Sequence, residues 1–323
     1  MEDRRMDKIK IKSVKDKIIN FPQLSILSAF VVLILIFSLT TNTFLSFDNI
    51  INILRQNSTT MIVAIGMTYV LILGGIDLSV GAVACLAGTV AAGLMSRNGM
   101  PVVLAIVIGV LIGALCGLIN GLTISKIGMA PFIATLAMNC SARGIVLVYT
   151  KGSTITKIPE AALFLGRGYI GPIPIPVIIM IIVVAAAWVV LRKTRFSRHV
   201  FAVGGNEECA RLSGVKIVKV KIIVYIVSST LAALSGVILT MRLASGQPTL
   251  GNGLELDAIA AVVLGGTSLN GGKGFVIGTV LGALFLTALS NGLNILQVSS
   301  FWQQVFQGII IIIAVSFSDR KRK

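Results

Sequence analysis

Ten apolar runs leave this chain few ways to fold. They lie near residues 24–41, 59–74, 79–95, 101–122, 130–149, 173–191, 222–241, 255–267, 275–290 and 302–316. A hydrocarbon core of ~30 Å takes about twenty residues of helix to cross. No water reaches that core, so backbone groups must bond within the segment, as a helix allows. Only 12% of the residues are charged against 55% hydrophobic, and no water-facing domain of ordinary size fits between the runs. The expectation is an all-α polytopic membrane protein of about ten transmembrane helices, with one transmembrane domain over 24–318.

Charge orients the runs. The longest polar stretch, residues 192–221, holds eight Lys/Arg and the chain's one histidine, His199. Basic residues near span ends stay in the cytoplasm, so this stretch is read as a cytoplasmic loop. The same rule places residues 1–23 inside as a polar tail with seven Lys/Arg, and 319–323 inside as a basic tail. An even number of spans returns the C-terminus to the side of the N-terminus. On this layout 21 Lys/Arg lie inside, six outside, and Arg143 alone falls within a span. The net charge of +16 then reflects topology and attraction to anionic lipid, not nucleic acid. The first run follows a basic segment, as a secretory signal would. It is too long for one, lacks a convincing small-residue cleavage site, and is read as an uncleaved anchor. Residues 150–172 form the main outer loop, with 42–58 and 242–254 as further outer segments. The cysteines at 85, 116, 140 and 209 avoid the outer face, and their spacing matches no metal site.

The cytoplasmic loop has local order. Gly204-Gly205-Asn206 reads as a chain breaker, and Asn206 is placed to cap a helix over Glu207, Glu208, Cys209, Ala210, Arg211 and Leu212. Glu207 and Glu208 fall in its first turn, where the helix dipole favours negative charge, and Gly214 ends it. By itself this is equally a solvated loop.

Two motifs interrupt the apolar pattern. Leu73-Gly74-Gly75-Ile76-Asp77-Leu78-Ser79-Val80-Gly81 returns 191 residues later as Leu264-Gly265-Gly266-Thr267-Ser268-Leu269-Asn270-Gly271-Gly272. Internal repeats are common in transporters, and here both copies would run in the same direction. Asp77 at such a break either caps the next half-helix or contacts solute, since an ionisable residue at membrane depth is a functional candidate. Arg143 either faces protein or water, with an acid such as Asp77 as partner, or snorkels to the interface. Asn57, Ser79, Asn120, Asn139, Gln247, Glu255, Asp257, Ser268 and Asn291 complete the polar set available to a neutral, hydroxyl-rich solute. Gly109, Gly113, Gly117 and Gly121 recur every fourth residue, as do Gly274, Gly278 and Gly282. Each row makes one smooth helix face and reads as a packing strip.

Glu208 to Gly214 resembles the EAA-x-x-x-G motif of ABC import permeases, with Cys209 in place of the first alanine. Three more blocks extend the likeness: LGGIDLSVG at 73–81, APFIATLAMNCSARGI at 130–145 and GLELDAIAAVVLGGTSLNGGKG at 253–274. Together they resemble the monosaccharide (ribose-type) branch of that family from about residue 45 onward. The resemblance implies a permease subunit in the bacterial cytoplasmic membrane, paired with a copy of itself or a paralogue. It also implies an ATP-binding subunit on the Glu208 helix, carrying the ATP and Mg, and an extracytoplasmic sugar-binding protein on the outer face. The chain itself would need no cofactor. Gly266 to Gly274 is not a phosphate loop, because Thr267 and Gly274 stand where a glycine and a Ser/Thr are required. Permeases for branched-chain amino acids or nucleosides are the nearest alternative. An ion-coupled secondary transporter would have to work with Asp77 and Arg143, and a membrane enzyme lacks a catalytic cluster.

Overall fold

The computed structural model describes residues 24–299, 301–306 and 308–309. The tails at 1–23 and 319–323 and most of the run at 302–316 lie outside them. The helices are α1 (Leu24–Thr40), α2 (Phe47–Ile72), α3 (Val80–Ser96), α4 (Val102–Ser125), α5 (Pro131–Thr150) and α6 (Glu160–Arg167). They continue with α7 (Ile175–Lys193), α8 (Arg195–Gly205), α9 (Glu207–Leu212), α10 (Ile217–Leu243), α11 (Leu254–Leu264) and α12 (Val276–Ile295). A two-residue hairpin, β1 (Tyr169–Ile170) with β2 (Ile173–Pro174), follows α6.

Among the described residues five helices, α4, α5, α7, α10 and α12, are long and apolar enough to cross a membrane. The outward faces of the bundle are apolar too: Val31 and Leu39 on α1, Val103 and Leu111 on α4, Phe132 and Ile133 on α5, Ile181 and Ile182 on α7. Water would penalise so much exposed hydrocarbon, whereas a bilayer would not. The chain is a mostly helical, polytopic membrane protein.

Several boundaries differ from those read in the sequence. The segment 42–58 is not a loop throughout, because α2 begins at Phe47. Ser46 caps it by accepting from the Asn49 N–H at 3.3 Å, and the polar residues that follow contain no helix breaker. The run at 255–267 gives only the 11 residues of α11, roughly 16 Å of helix, which is half a bilayer core. The outer loop at 150–172 contains α6 and part of the hairpin. Gly204 and Gly205 do not break the chain but close α8, which Thr194 caps through the Ser197 N–H. The break comes one residue later, at Asn206.

The core is built around α2, α3, α4 and α10. Residues 57–72 of α2 are buried apart from the half-buried Thr60, and α3 is buried over most of its length. α4 against α10 is the most extensive helix pair among the described residues. Three glycines of the first row make that contact, while the fourth, Gly109, lies nearest Ala87 of α3. Cβ atoms added at Gly113, Gly117 and Gly121 would run into Ala233, Ser229, Tyr225, Ile226 and Ile222 in descending order along α10. The second row serves α12, where Gly278 and Gly282 lie against the Gly265 and Ala261 carbonyls of α11. Both rows are packing surfaces. The bundle has two distinct ends: the hairpin end carries α6, β1 and β2, and the other carries α8 and α9.

Candidate functional site

At the α9 end, every local feature of the short helix has a partner. Asn206 Oδ1 accepts the Cys209 N–H at 2.9 Å. Gly214 adopts φ +81° and donates to the Arg211 carbonyl, while Val215 donates to Ala210. That pattern satisfies the last carbonyls of the helix and suits glycine at the stop. Lys221 Nζ, on the first turns of α10, binds Glu207 at 2.7 Å, and Arg211 Nε donates to Glu208 Oε2 at 2.9 Å. The Glu208 carboxylate holds the Arg211 guanidinium above its ordinary value. Ala210 points inward and is buried. Glu208, Cys209, Arg211 and Leu212 face out, Leu212 with 78% of its surface exposed. The cysteine that departs from the EAA pattern therefore occupies an exposed position, and the alanine that fits the pattern occupies the buried one.

The two LGG motifs stop their helices in the same way. Gly74 at φ +85° donates to Leu71 and Gly75 to Val70; Gly266 at φ +88° donates to Val263 and Thr267 to Val262. A side chain then closes each turn two residues on, since Asp77 Oδ1 accepts the Ser79 N–H and Ser268 Oγ accepts the Asn270 N–H. After that they diverge. α3 starts at once at Val80, whereas the second motif continues through Gly271 and Gly272 before α12.

Asp77 at the first break is buried, and both of its carboxylate oxygens are bonded. Asp77 is 0% exposed. Its Oδ1 accepts from Ser79 Oγ at 2.6 Å as well as from the Ser79 N–H at 3.0 Å, and Oδ2 accepts from Ser228 Oγ at 2.9 Å. Asn120 donates to Ser79 Oγ, Asn139 to the Leu78 carbonyl, and Thr135 Oγ1 serves both the Leu78 N–H and the Ile76 carbonyl. Side chains of α4, α5 and α10 thus supply the bonds that lipid could not. Gly75 leaves room for the Tyr225 hydroxyl at the same place. Asp77, Ser79 and Asn120 form one buried cluster, and the half-buried Asn139 joins it through the Leu78 carbonyl.

The remaining polar residues lie elsewhere. Arg143 does not pair with Asp77; it donates to the carbonyls of Pro248 at 3.2 Å and Leu250 at 2.8 Å. The Glu255 carboxylate and the Gly251 carbonyl both lie against Gly81 beside the same segment. Asn57 is buried and accepts from Thr287. Asp257 lines an open cavity of about 650 Å³ toward the hairpin end, between α2, α10, α11 and α12. Asn52, Gln56, Thr60, Arg242 and Ser290 line it too. These were missed in the sequence, although Asn52, Gln56 and Thr60 fall at every fourth position of α2 and so share one helix face.

Comparison with known proteins gives the class first. The chain matches the family described as branched-chain amino acid transport system / permease component over residues 49–315, and it belongs to that family. Its relatives are more specific. It is 52% identical over 293 residues to the ribose import permease protein RbsC of Bacillus subtilis (strain 168), covering 90% of each chain. It is 46% identical over 300 residues to RbsC of Escherichia coli (strain K12), covering 92% of this chain and 93% of that one. The xylose transport system permease protein XylH of Haemophilus influenzae is 33% identical over 371 residues, covering 96% and 99%. No solved structure matches the chain.

Proposed function

We propose that this chain is the membrane-spanning permease subunit of an ATP-driven importer for a monosaccharide, with a ribose-like pentose as the first choice. The observation that carries this reading is the 46–52% identity to permeases named for ribose, which extends over nine-tenths of both chains. The family description favours a second reading, branched-chain amino acid transport. An uptake assay in vesicles, with the chain, its ATPase and its binding protein, separates the two. Ribose should accumulate and leucine should not; the reverse would overturn the sugar reading.

In this reading the chain crosses the bacterial cytoplasmic membrane ten times, with both termini in the cytoplasm. α9 receives a separate ATPase subunit that holds ATP and Mg, and the hairpin end receives the extracytoplasmic binding protein. A second copy or a paralogue completes the path. The cavity bordered by Asn52, Gln56 and Asp257 offers amide, hydroxyl and carboxylate groups suited to sugar hydroxyls. Lys216 and Lys157 are both exposed, at opposite ends of the bundle. A cysteine at 216 should label only from the cytoplasm and one at 157 only from outside. Labelling of both from one side would invert the assignment.

Charge reversal tests the docking surface. Glu208→Arg removes the Arg211 pair and puts two cations three residues apart on α9. The cost to the helix is small, roughly 0.5 kcal/mol for an exposed pair, and the spans are not involved. Membrane levels should be normal while ATPase binding and uptake fall by about tenfold or more, the scale of like-charge juxtaposition at an interface. Unchanged uptake in this variant would remove α9 from the docking site.

A further inference from the structure

Three segments far apart in the chain meet at the α9 end as bare backbone. The first is the end of α2, Ile72 to Gly74. The second is the last turn of α8, at Gly204. The third is the extension of the second LGG motif, Gly271 and Gly272. The Gly272 N–H donates to the Ile72 carbonyl at 2.8 Å. A Cβ on Gly204 would overlap that same carbonyl oxygen and lie 3.0 Å from Gly272 N. A Cβ on Gly271 would lie 2.5 Å from the Gly204 carbonyl and 3.0 Å from Gly74 Cα. Gly271 and Gly272 both take positive φ, +80° and +70°, so glycine is required there by conformation as well as by space.

We propose that this three-way junction is where a displacement of α9 enters both LGG breaks at once. The proposal rests on the reading of α9 as the ATPase contact. Only Gly205 separates Gly204 from Asn206, the residue that caps α9. The contacts among Ile72, Gly74, Gly204, Gly271 and Gly272 are backbone against backbone, so a rotamer change does not relieve them, and close-packed contacts move as units rather than compress. On one side the shift reaches Gly74 and the Asp77 turn, whose bonds to Ser228, Thr135 and Asn139 lead into α10 and α5. On the other side it reaches α11. That helix is an 11-residue rod with one end at the second break and the other, at Leu254 and Asp257, on the wall of the 650 Å³ cavity. A push on α9 would therefore move the cavity wall through one short rigid element.

The test uses the permease with its ATPase and binding protein in lipid vesicles. Gly204→Ala places a methyl group against the Ile72 carbonyl. Gly205→Ala is the matched control, because a Cβ there meets nothing within 4 Å and the same helix end loses the same backbone freedom. Gly204→Ala should bind the ATPase normally and the bound ATPase should still hydrolyse ATP, while uptake falls roughly tenfold or more, a typical coupling factor. Gly205→Ala should transport like the wild type. Normal uptake in Gly204→Ala, or equal loss in both variants, would overturn the junction.

A wild-type measurement covers the case in which Gly204→Ala does not fold. Hydrogen exchange of the assembled complex, with and without ATP, should change in segments 72–78 and 268–274 together with 204–212. A change confined to 206–214 would also overturn the proposal. Failure of the underlying reading shows separately: no ATPase would associate with the wild-type chain, and the junction would then have nothing to transmit.

Discussion

Gly113→Leu should leave little folded protein in the membrane. The Cβ alone would overlap Ala233 and come within 2.7 Å of the Ser229 carbonyl on α10. Backbone cannot rotate away as a side chain can, so α4 and α10 would have to separate along their whole contact. Overpacking a core costs ~1–3 kcal/mol even when side chains can yield, and here they cannot. A stability of roughly 5–15 kcal/mol leaves limited room for such a loss. Gly113→Ala should show the same defect in milder form. Gly144→Leu supplies the control, since a side chain there enters open space. Yield of monodisperse protein in detergent, and its melting temperature, would order the three variants. Equal stability of Gly113→Leu and Gly144→Leu would show that the α4–α10 contact is not the one described.

That contact also marks how far the sequence could be read. A glycine every fourth residue announces a smooth helix face, but nothing local says which helix lies against it. α9 was legible in full because its cap, its first-turn acids and its glycine stop all act within a few residues. α8 was hidden, as its two closing glycines look like a break when read without the Thr194 cap that starts it. The start of α2 was misread for a different reason. Hydropathy measures fitness for lipid, and the Arg55-to-Thr60 stretch meets protein and an open cavity instead, so its polar residues looked like a loop. Among the candidate site residues, Asp77, Ser79, Asn120 and Asn139 read from the sequence as polar groups at membrane depth. That Asp77, Ser79 and Asn120 form one hydrogen-bonded chain, with Asn139 beside it on the Leu78 carbonyl, required the fold, and a further partner, Ser228 of α10, is 151 residues from Asp77.

Asp77 therefore carries the second large effect. Asp77→Leu would strip the acceptor from three donors at once: the Ser79 N–H, the Ser79 hydroxyl and the Ser228 hydroxyl. Each buried donor left unpaired costs about 1–3 kcal/mol, and Asp77 is 0% exposed, so bulk solvent does not reach the donors to replace the loss. A sum of roughly 3–9 kcal/mol is comparable with the whole stability of a domain, so this variant should lose fold and transport together. Asp77→Asn behaves differently because the amide keeps one carbonyl oxygen for the two Ser79 donors. Its NH2 group then faces Ser228, whose hydroxyl turns from donor to acceptor, and every bond in the cluster survives. Folded yield and uptake of Asp77→Asn should thus stay within about threefold of the wild type, under ~1 kcal/mol of change. The pair of variants separates geometry from charge. If Asp77→Asn folds and assembles but does not transport, the negative charge itself is needed. An ion-coupled mechanism would then gain the residue it requires, and the purely structural role of the turn would be lost.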